Sequence, residues 1–591
     1  LSLCISKMQA QTDDNIGSQQ VNIVTDYKPV IADAFKLNDN PSVRDTTVKI
    51  PKMTYNVLNK QFRTSIILDT IKAAKMKAEA VEKLSYNYAK LGLGNYKMPY
   101  AEFFFGNLRS KQWQFGAHAK HLSAQFTPTN KGEAILSNNQ IDGFGKYLVA
   151  NQRISLNAGW QRNVNSVYGY NARLFSAFFD SLQLKNIYKA IDINAKVQSI
   201  NTDSSLLNTT FLLDYYNYNL INNKQKYSNE NHFNFVADVS KLNDNQLLGA
   251  QIKYQVYRIG NHLSNSNLDL QKPNTVSLFS LSPYVKANGS KWNAMLGATI
   301  LQEINEKKTR FFPNIWFNYI IVPDALTAYT NVTGNAKVNS IRSLTTDNPF
   351  MNYTTTNVKN TVNSVDATVG VKGNFNSKIS YHLSGNYSII NQMQLFAEQM
   401  VIYKYGNASG NLVDDISVTK LRSFMPSNSP HNYQYSAIYE NAKYWNIKGN
   451  LSYNVNQKLN VTAEATYQNY KMDTSKYAYY KENLNISLMG NYQLNEKISI
   501  NTKIFYVGKR NGLSIQNGFG SYTGTAYNLP ETKIIYLLPA YVDANIGAEY
   551  KHTKKLSAFV SLNNLLNARI QRWQHHPTLG FWAMGGVTYS F

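Results

Sequence analysis

Apolar and polar side chains alternate one for one over long stretches of the chain, most clearly towards the C-terminus. Trp445, Ile447, Gly449, Leu451, Tyr453 and Val455 are interleaved with Asn446, Lys448, Asn450, Ser452 and Asn454. A period of two over so many residues predicts a β-strand with one apolar face. After Asn456-Gln457-Lys458 the pattern resumes: Leu459, Val461, Ala463, Ala465 and Tyr467 alternate with Asn460, Thr462, Glu464, Thr466 and Gln468. Two such strands across so short a turn predict an antiparallel hairpin. The unit recurs at Leu484–Leu494 and Ile498–Tyr506 around Asn495-Glu496-Lys497. It recurs again at Val542–Tyr550 and Leu556–Asn563 around Lys551–Lys555.

These segments run to about ten residues, enough to cross a hydrocarbon core when tilted. Strands of a soluble sandwich are mostly about five to six residues. Such a sandwich would also need a dry inner face, whereas the polar faces here carry Asn, Ser, Thr, Gln and Lys, which a wet lumen accepts and a dry core does not. The expected fold class is all-β: a transmembrane antiparallel β-barrel of about 22 strands. Connection lengths alternate, with short turns at 456–458, 495–497 and 551–555 between long segments at 261–273, 333–359, 405–430, 472–482 and 510–533. Short periplasmic turns and long extracellular loops have this asymmetry.

Composition agrees with a barrel. Charged residues make up 16 % and aromatics 13 %, with 42 Tyr, and mean hydropathy is −0.38. No apolar run reaches the roughly 18–20 residues of a membrane helix. The closed barrel is the other way to satisfy backbone polar groups in a bilayer. Abundant Tyr suits aromatic girdles at the two interfaces. The net charge of +24 reads as a Lys- and Asn-rich bias spread over loops, since no long run of like charge occurs. The other reading is a basic surface or lumen attracting anions such as lipopolysaccharide phosphates. No basic cluster or motif points to nucleic acid.

Residues 1–10 read as the tail of a secretory signal peptide, with Ala10 as the small residue at a cleavage point. Cys4 is the single cysteine and excludes an intrachain disulfide. Residues 11–95 alternate poorly and form an expected periplasmic or lumenal segment. Asp69-Thr70 could cap a helix through Leu84, with an extended course equally open. The barrel is expected over 96–591.

The last strand places Phe581, Ala583, Gly585, Val587, Tyr589 and Phe591 on one face, and an aromatic-x-Phe ending resembles the signal read by the barrel-assembly machinery. Val587, Tyr589 and Phe591 are the residues assigned to it. Leu562-Asn563-Asn564-Leu565-Leu566-Asn567-Ala568-Arg569, with Gly580-Phe581 and Gly585–Phe591, is similar to the last two strands of TonB-dependent receptors. Val21–Val24, Tyr27–Lys36, Asn87–Tyr96, Phe311-Phe312-Pro313-Asn314 and Asn348-Pro349-Phe350 resemble a plug-poor group of such barrels in the Bacteroidota. A full receptor has a plug of well over a hundred residues and a TonB box; about 85 residues precede the first strand predicted here, and no box is found. The resemblance implies an outer-membrane location in a Gram-negative cell. It implies either binding or passage of a solute, or non-transporting accessory work within an outer-membrane assembly. Expected partners are outer-membrane lipid and lipopolysaccharide, the barrel-assembly machinery and other envelope proteins.

Candidate chemistry is sparse. His118 and His121, three apart on a strand, face opposite sides and cannot easily share a metal. His575-His576 lack a third ligand nearby and read as part of a solvated loop. Asp414-Asp415 could hold calcium but read as a polar loop. No phosphate loop, nucleophile elbow or zinc motif occurs. No enzyme activity, catalytic residue, metal or cofactor is expected. An enzyme would instead show carboxylates, His or Ser at one rim within hydrogen-bond reach.

Overall fold

The computed structural model describes residues 87–591 apart from 108–109, 171–184, 202–205, 223–224, 262–273, 352–357, 407–411, 414–433 and 523–524. The expectations for residues 1–10, for Cys4, for the segment 69–84 and for Asp414-Asp415 lie outside the described residues.

Every expected hairpin is present. Gln434–Asn456 pairs with Leu459–Met472, Leu484–Gln493 with Ile498–Val507, and Tyr541–Lys551 with Leu556–Asn563, all antiparallel. Neighbour pairing continues around the molecule until Trp582–Ser590 meets Tyr88–Gly94. The wall closes there into a ring, so among the described residues its strands have no free outer edge of the sheet. Of the twenty-five strands, Leu412–Val413, Arg510–Tyr522 and Thr525–Leu538 lie off the wall, and the remaining twenty-two form it.

Two findings correct the sequence reading. Tyr88–Gly94 falls in the expected N-terminal segment 11–95, yet it is the first wall strand, so the barrel begins before residue 96. It has only seven residues, and one of its two partners lies at the far end of the chain. The segment 510–533, read as an open loop, is a β-hairpin. Its first strand runs parallel to Glu398–Tyr405, an extension of Ile379–Gly406. Its Gly- and Asn-rich composition resembles a loop, and the pairing that orders it is long-range.

The closing seam depends on glycine. Gly92 and Gly586 are register partners. A Cβ on Gly586 would lie 2.0 Å from the Leu91 carbonyl oxygen and 2.6 Å from the Phe559 ring. Only a residue without a side chain allows the first and last strands to approach so closely.

The outward register carries the apolar residues and leaves them bare. Leu93 is 74 % exposed, Leu296 62 % and Val369 60 %. Burying one Leu from water is worth about 1.5–3 kcal/mol, so a wall of such residues is stable only where something apolar covers it. Outward aromatics gather towards the two ends, with Trp113 stacked on Tyr147 (4.0 Å between ring centroids) at one and Trp445 against Tyr467 (5.5 Å) at the other. Inward positions away from the long-loop end are mostly polar, and carboxylates among them are paired. Asp214 accepts from Asn234 (2.7 Å), Glu464 from Asn450 (2.8 Å) and Asp142 from Gln140 (2.6 Å).

The two ends of the barrel differ. Turns such as 244–245, 377–378 and 457–458 close one end, where Phe591 also lies. The other end carries the long connections, among them 339–359, 473–483 and 564–581.

Candidate functional site at the long-loop end

Among the described residues the largest hydrophobic core lies at the long-loop end, where side chains of the connections pack against those of the wall strands' upper ends. The 339–359 connection leaves the thirteenth wall strand, Leu326–Val338, and crosses to the lumenal side of the sixth to eighth. Ser340 caps a short helix, α1 (Ile341–Asp347), by accepting from the Ser343 amide (3.2 Å). Ile341, Leu344 and Thr345 are buried on its inner face. The Arg342 guanidinium makes a two-pronged ion pair with Asp192 and lies 4.5 Å from the centroid of the Tyr216 ring. Tyr218 and Thr345 share a hydrogen bond of 2.6 Å. Beyond the helix, the Pro349 carbonyl accepts from the Tyr188 hydroxyl (2.5 Å) and from Asn186 (3.2 Å).

From there the chain enters an aromatic cluster over the mouth. The Phe350 ring stacks on His576 with centroids 3.8 Å apart, and Tyr168 meets both edge-on. Tyr435 and Tyr480 pack on Trp573 at 5.3 and 4.9 Å, and Phe396 closes its other side at 5.1 Å. Hydrogen bonds join the same connections. Tyr168 donates to the Pro577 carbonyl (2.9 Å), Tyr435 to the Gln574 carbonyl (2.8 Å), and the Tyr435 amide to the Phe350 carbonyl (2.9 Å). His575 Nδ1 is 2.7 Å from the buried Glu398 carboxylate. The Arg510 guanidinium donates to the Gln571 carbonyl (3.1 Å).

His575 and His576 therefore correct the solvated-loop reading. His576 is 2 % exposed, and burial pushes its imidazole down to about 3. Its Nδ1 donates to the Gln574 carbonyl (3.0 Å), which fixes the neutral tautomer and leaves Nε2 bare among rings. Burial likewise pushes the Lys131 amine down to about 8 as it donates to the Gly169 carbonyl (2.7 Å). Nothing local to His575-His576-Pro577 signals this burial, because the covering rings come from connections hundreds of residues away. The concentration of aromatic residues within long connections was the available signal.

His118 and His121 do point to opposite sides. His118 faces the lumen, with Nε2 2.9 Å from Glu102 and Nδ1 3.7 Å from Asp142. Tyr88 also donates to Glu102 (3.1 Å). His121 faces outward, bonded to Asn139 (2.7 Å). No cluster of three potential metal ligands occurs among the described residues. The rim brings one His–carboxylate pair together, His575 with Glu398, and its carboxylate is wholly buried. Val587, Tyr589 and Phe591 lie on the outward face, 50 %, 47 % and 40 % exposed. The Phe591 amide donates to the Asn87 carbonyl (3.0 Å) at the seam.

No protein-family model matches the sequence, and no curated protein matches it. Solved structures do share its fold. The siderophore receptor PirA from Acinetobacter baumannii matches with a TM-score of 0.60 at 12 % identity, over 85 % of this chain and 80 % of that one. The ferric enterobactin receptor PfeA from Pseudomonas aeruginosa, as an R480A_Q482A mutant, matches at 0.57 and 12 %, over 85 % and 80 %. The pyoverdine outer membrane receptor FpvA from Pseudomonas aeruginosa PAO1, bound to pyoverdine, matches at 0.56 and 12 %, over 85 % and 78 %. At this identity the likeness is one of fold.

Proposed function

We propose that the chain is an outer-membrane barrel of the TonB-dependent receptor type that binds a solute at its long-loop end and admits it to the lumen. One observation carries the reading: the long connections converge on a single aromatic core over the mouth of a 22-strand wall. A wall of that size encloses more space than its own side chains fill, and outer-membrane transporters of 22 strands hold a plugged lumen. The apolar outward face and paired polar inward face support the membrane placement. The fold shared with siderophore receptors supports the receptor type. Assignment to a plug-poor Bacteroidota group rests on the short motifs from Val21 to Phe350. The exposed Val587–Tyr589–Phe591 face supports its reading as the signal for the barrel-assembly machinery. The reading includes no catalytic step.

A second reading, a non-transporting accessory barrel, draws on the same core, because a mouth so fully packed and hydrogen-bonded also suits a sealed scaffold. Planar-bilayer recordings separate the two. Wild type is compared with a variant whose cap is loosened by Tyr168→Ala and Trp573→Ala. The receptor reading expects low conductance from wild type and frequent large openings from the variant. A variant as silent as wild type, in a barrel that still migrates as folded, favours the accessory reading.

A further inference from the structure

The register fixes which wall side chains face outward, and the charges there are one-sided. On the described wall strands no Asp or Glu occupies an outward position; Glu102, Asp142, Asp192, Asp214, Glu464 and Glu549 all fall on the inward register. Cations do face outward, and four of them form two cross-strand pairs. Arg162 is the register partner of Lys189 between the fifth and sixth wall strands, Gln152–Ser166 and Lys185–Ser199. Lys443 is the register partner of Lys471 between the sixteenth and seventeenth, Gln434–Asn456 and Leu459–Met472. The two pairs lie eleven wall strands apart, on opposite sides of the ring.

Directly opposed residues have Cβ atoms only about 4.5–5.5 Å apart, and like charges so placed repel. Among the described residues none of the four joins an ion pair with a carboxylate, and Lys189, Lys443 and Lys471 are exposed. Each pair stands at one height, one outward step beyond a tryptophan towards the long-loop end. Trp160 precedes Arg162 by two and pairs with Ile191, and Trp445 follows Lys443 by two and packs near Tyr467. Tryptophan marks the level of lipid headgroups, so both pairs lie where phosphate is found. An anion between two cations removes their repulsion and gains charge-assisted hydrogen bonds, with Arg the better matched donor.

We propose that Arg162–Lys189 and Lys443–Lys471 are two external sites for the phosphate of lipid headgroups in the leaflet at the long-loop end. This rests on the membrane placement proposed above. Arg258, outward at a similar height but opposite the neutral Asn231 and Thr275, is the internal control.

The test uses the full chain purified in mild detergent, titrated with diphosphoryl lipid A and read by native mass spectrometry. Wild type and Arg258→Gln are expected to retain two lipids, each double variant (R162Q with K189Q, or K443Q with K471Q) one, and the fourfold variant none at concentrations tenfold higher. Removing like-charge repulsion leaves the fold intact, checked by heat-modifiable migration. Lys189→Glu, which puts opposite charges in register, is expected to lose one lipid on the same folded barrel. Retention of two lipids by the fourfold variant, or equal retention of dephosphorylated lipid A, overturns the proposal. So does a rise in melting temperature with millimolar inorganic phosphate alone, which would make these sites for free anion. A chain that stays monodisperse without detergent would instead overturn the membrane placement.

Discussion

The wall and the cap of this barrel are held by different means. The wall repeats one local rule: apolar outward, polar inward, each strand bonded to its sequence neighbour. Its apolar face is exposed in the isolated chain and depends on a covering medium. The cap obeys no period. It buries its own apolar surface, with Tyr435 and Leu344 fully enclosed and Phe350 nearly so, using side chains from connections and from the ends of wall strands on opposite sides of the mouth. Wall stability is therefore distributed over the whole ring and tied to whatever apolar medium covers it. Cap stability is concentrated in a few rings that the chain itself covers. A change in one should leave the other largely intact, except at the seam.

The seam is where the comparison is tested hardest. Gly586→Val places a branched side chain where even a Cβ meets the Leu91 carbonyl at 2.0 Å. Overpacking typically costs about 1–3 kcal/mol, and here it acts on the one pairing that closes the ring. The expected result is loss of the heat-modifiable folded band and of outer-membrane protein. A normal folded yield would show that the seam is looser than described.

Trp573→Ala addresses the cap from the connection side. It removes the ring on which Tyr435, Tyr480 and Phe396 pack, and truncation of a buried Trp costs about 3–5 kcal/mol. The 564–581 connection should become protease-sensitive while the detergent-resistant wall remains. If the wall's melting temperature fell equally, cap and wall would be one cooperative unit.

Much of the wall was legible for the reason it is stable. The hairpins from Gln434 to Asn563 carry their full signal in local alternation and Asn-containing turns. His118 and His121 were correctly assigned to opposite faces by strand period alone. What failed was non-local. Tyr88–Gly94 alternates, with Ala89, Leu91 and Leu93 outward, but over too few residues to stand out, and it closes against the chain's other end. The Arg510–Leu538 hairpin pairs off the wall with a strand a hundred residues earlier. The cap was invisible because burial of His576 depends on Tyr168 and Phe350, and ionic anchoring of α1 on Asp192. No pattern within 564–581 or 339–359 encodes those partners.

pH offers a graded separation of the two regions. His576 is neutral in the folded cap with its pKa lowered to about 3, against an ordinary 6.5. The unfolded connection therefore binds a proton that the folded one does not. The stabilisation is present in full above about pH 6.5 and falls as the pH drops towards 3, by about 1.4 kcal/mol per unit. His575 and Lys131 also disfavour the charged imidazole. Trp573 fluorescence should report cap opening at mildly acidic pH, before the wall melts. His576→Phe should abolish that dependence; an unchanged profile in the variant would assign it elsewhere.

The smallest expected effect tests how the cap's hydrogen bonds divide their work. Tyr435→Phe removes the hydroxyl that donates to the Gln574 carbonyl at 2.8 Å. That carbonyl still receives the His576 Nδ1–H at 3.0 Å, so it is not left unsatisfied in the core. Loss of a bond without an orphaned partner should cost only about 0.5–1.5 kcal/mol, while the ring keeps its packing on Trp573. Protease sensitivity should change little at neutral pH. It should change more as the pH falls from 6.5 towards 3, where the proton taken up by the unfolded connection has already narrowed the cap's margin of stability. A large loss at neutral pH would mean that Tyr435 anchors the connection through its hydroxyl rather than its ring, and the cap would then be held by polar contacts rather than by the packing ascribed to it.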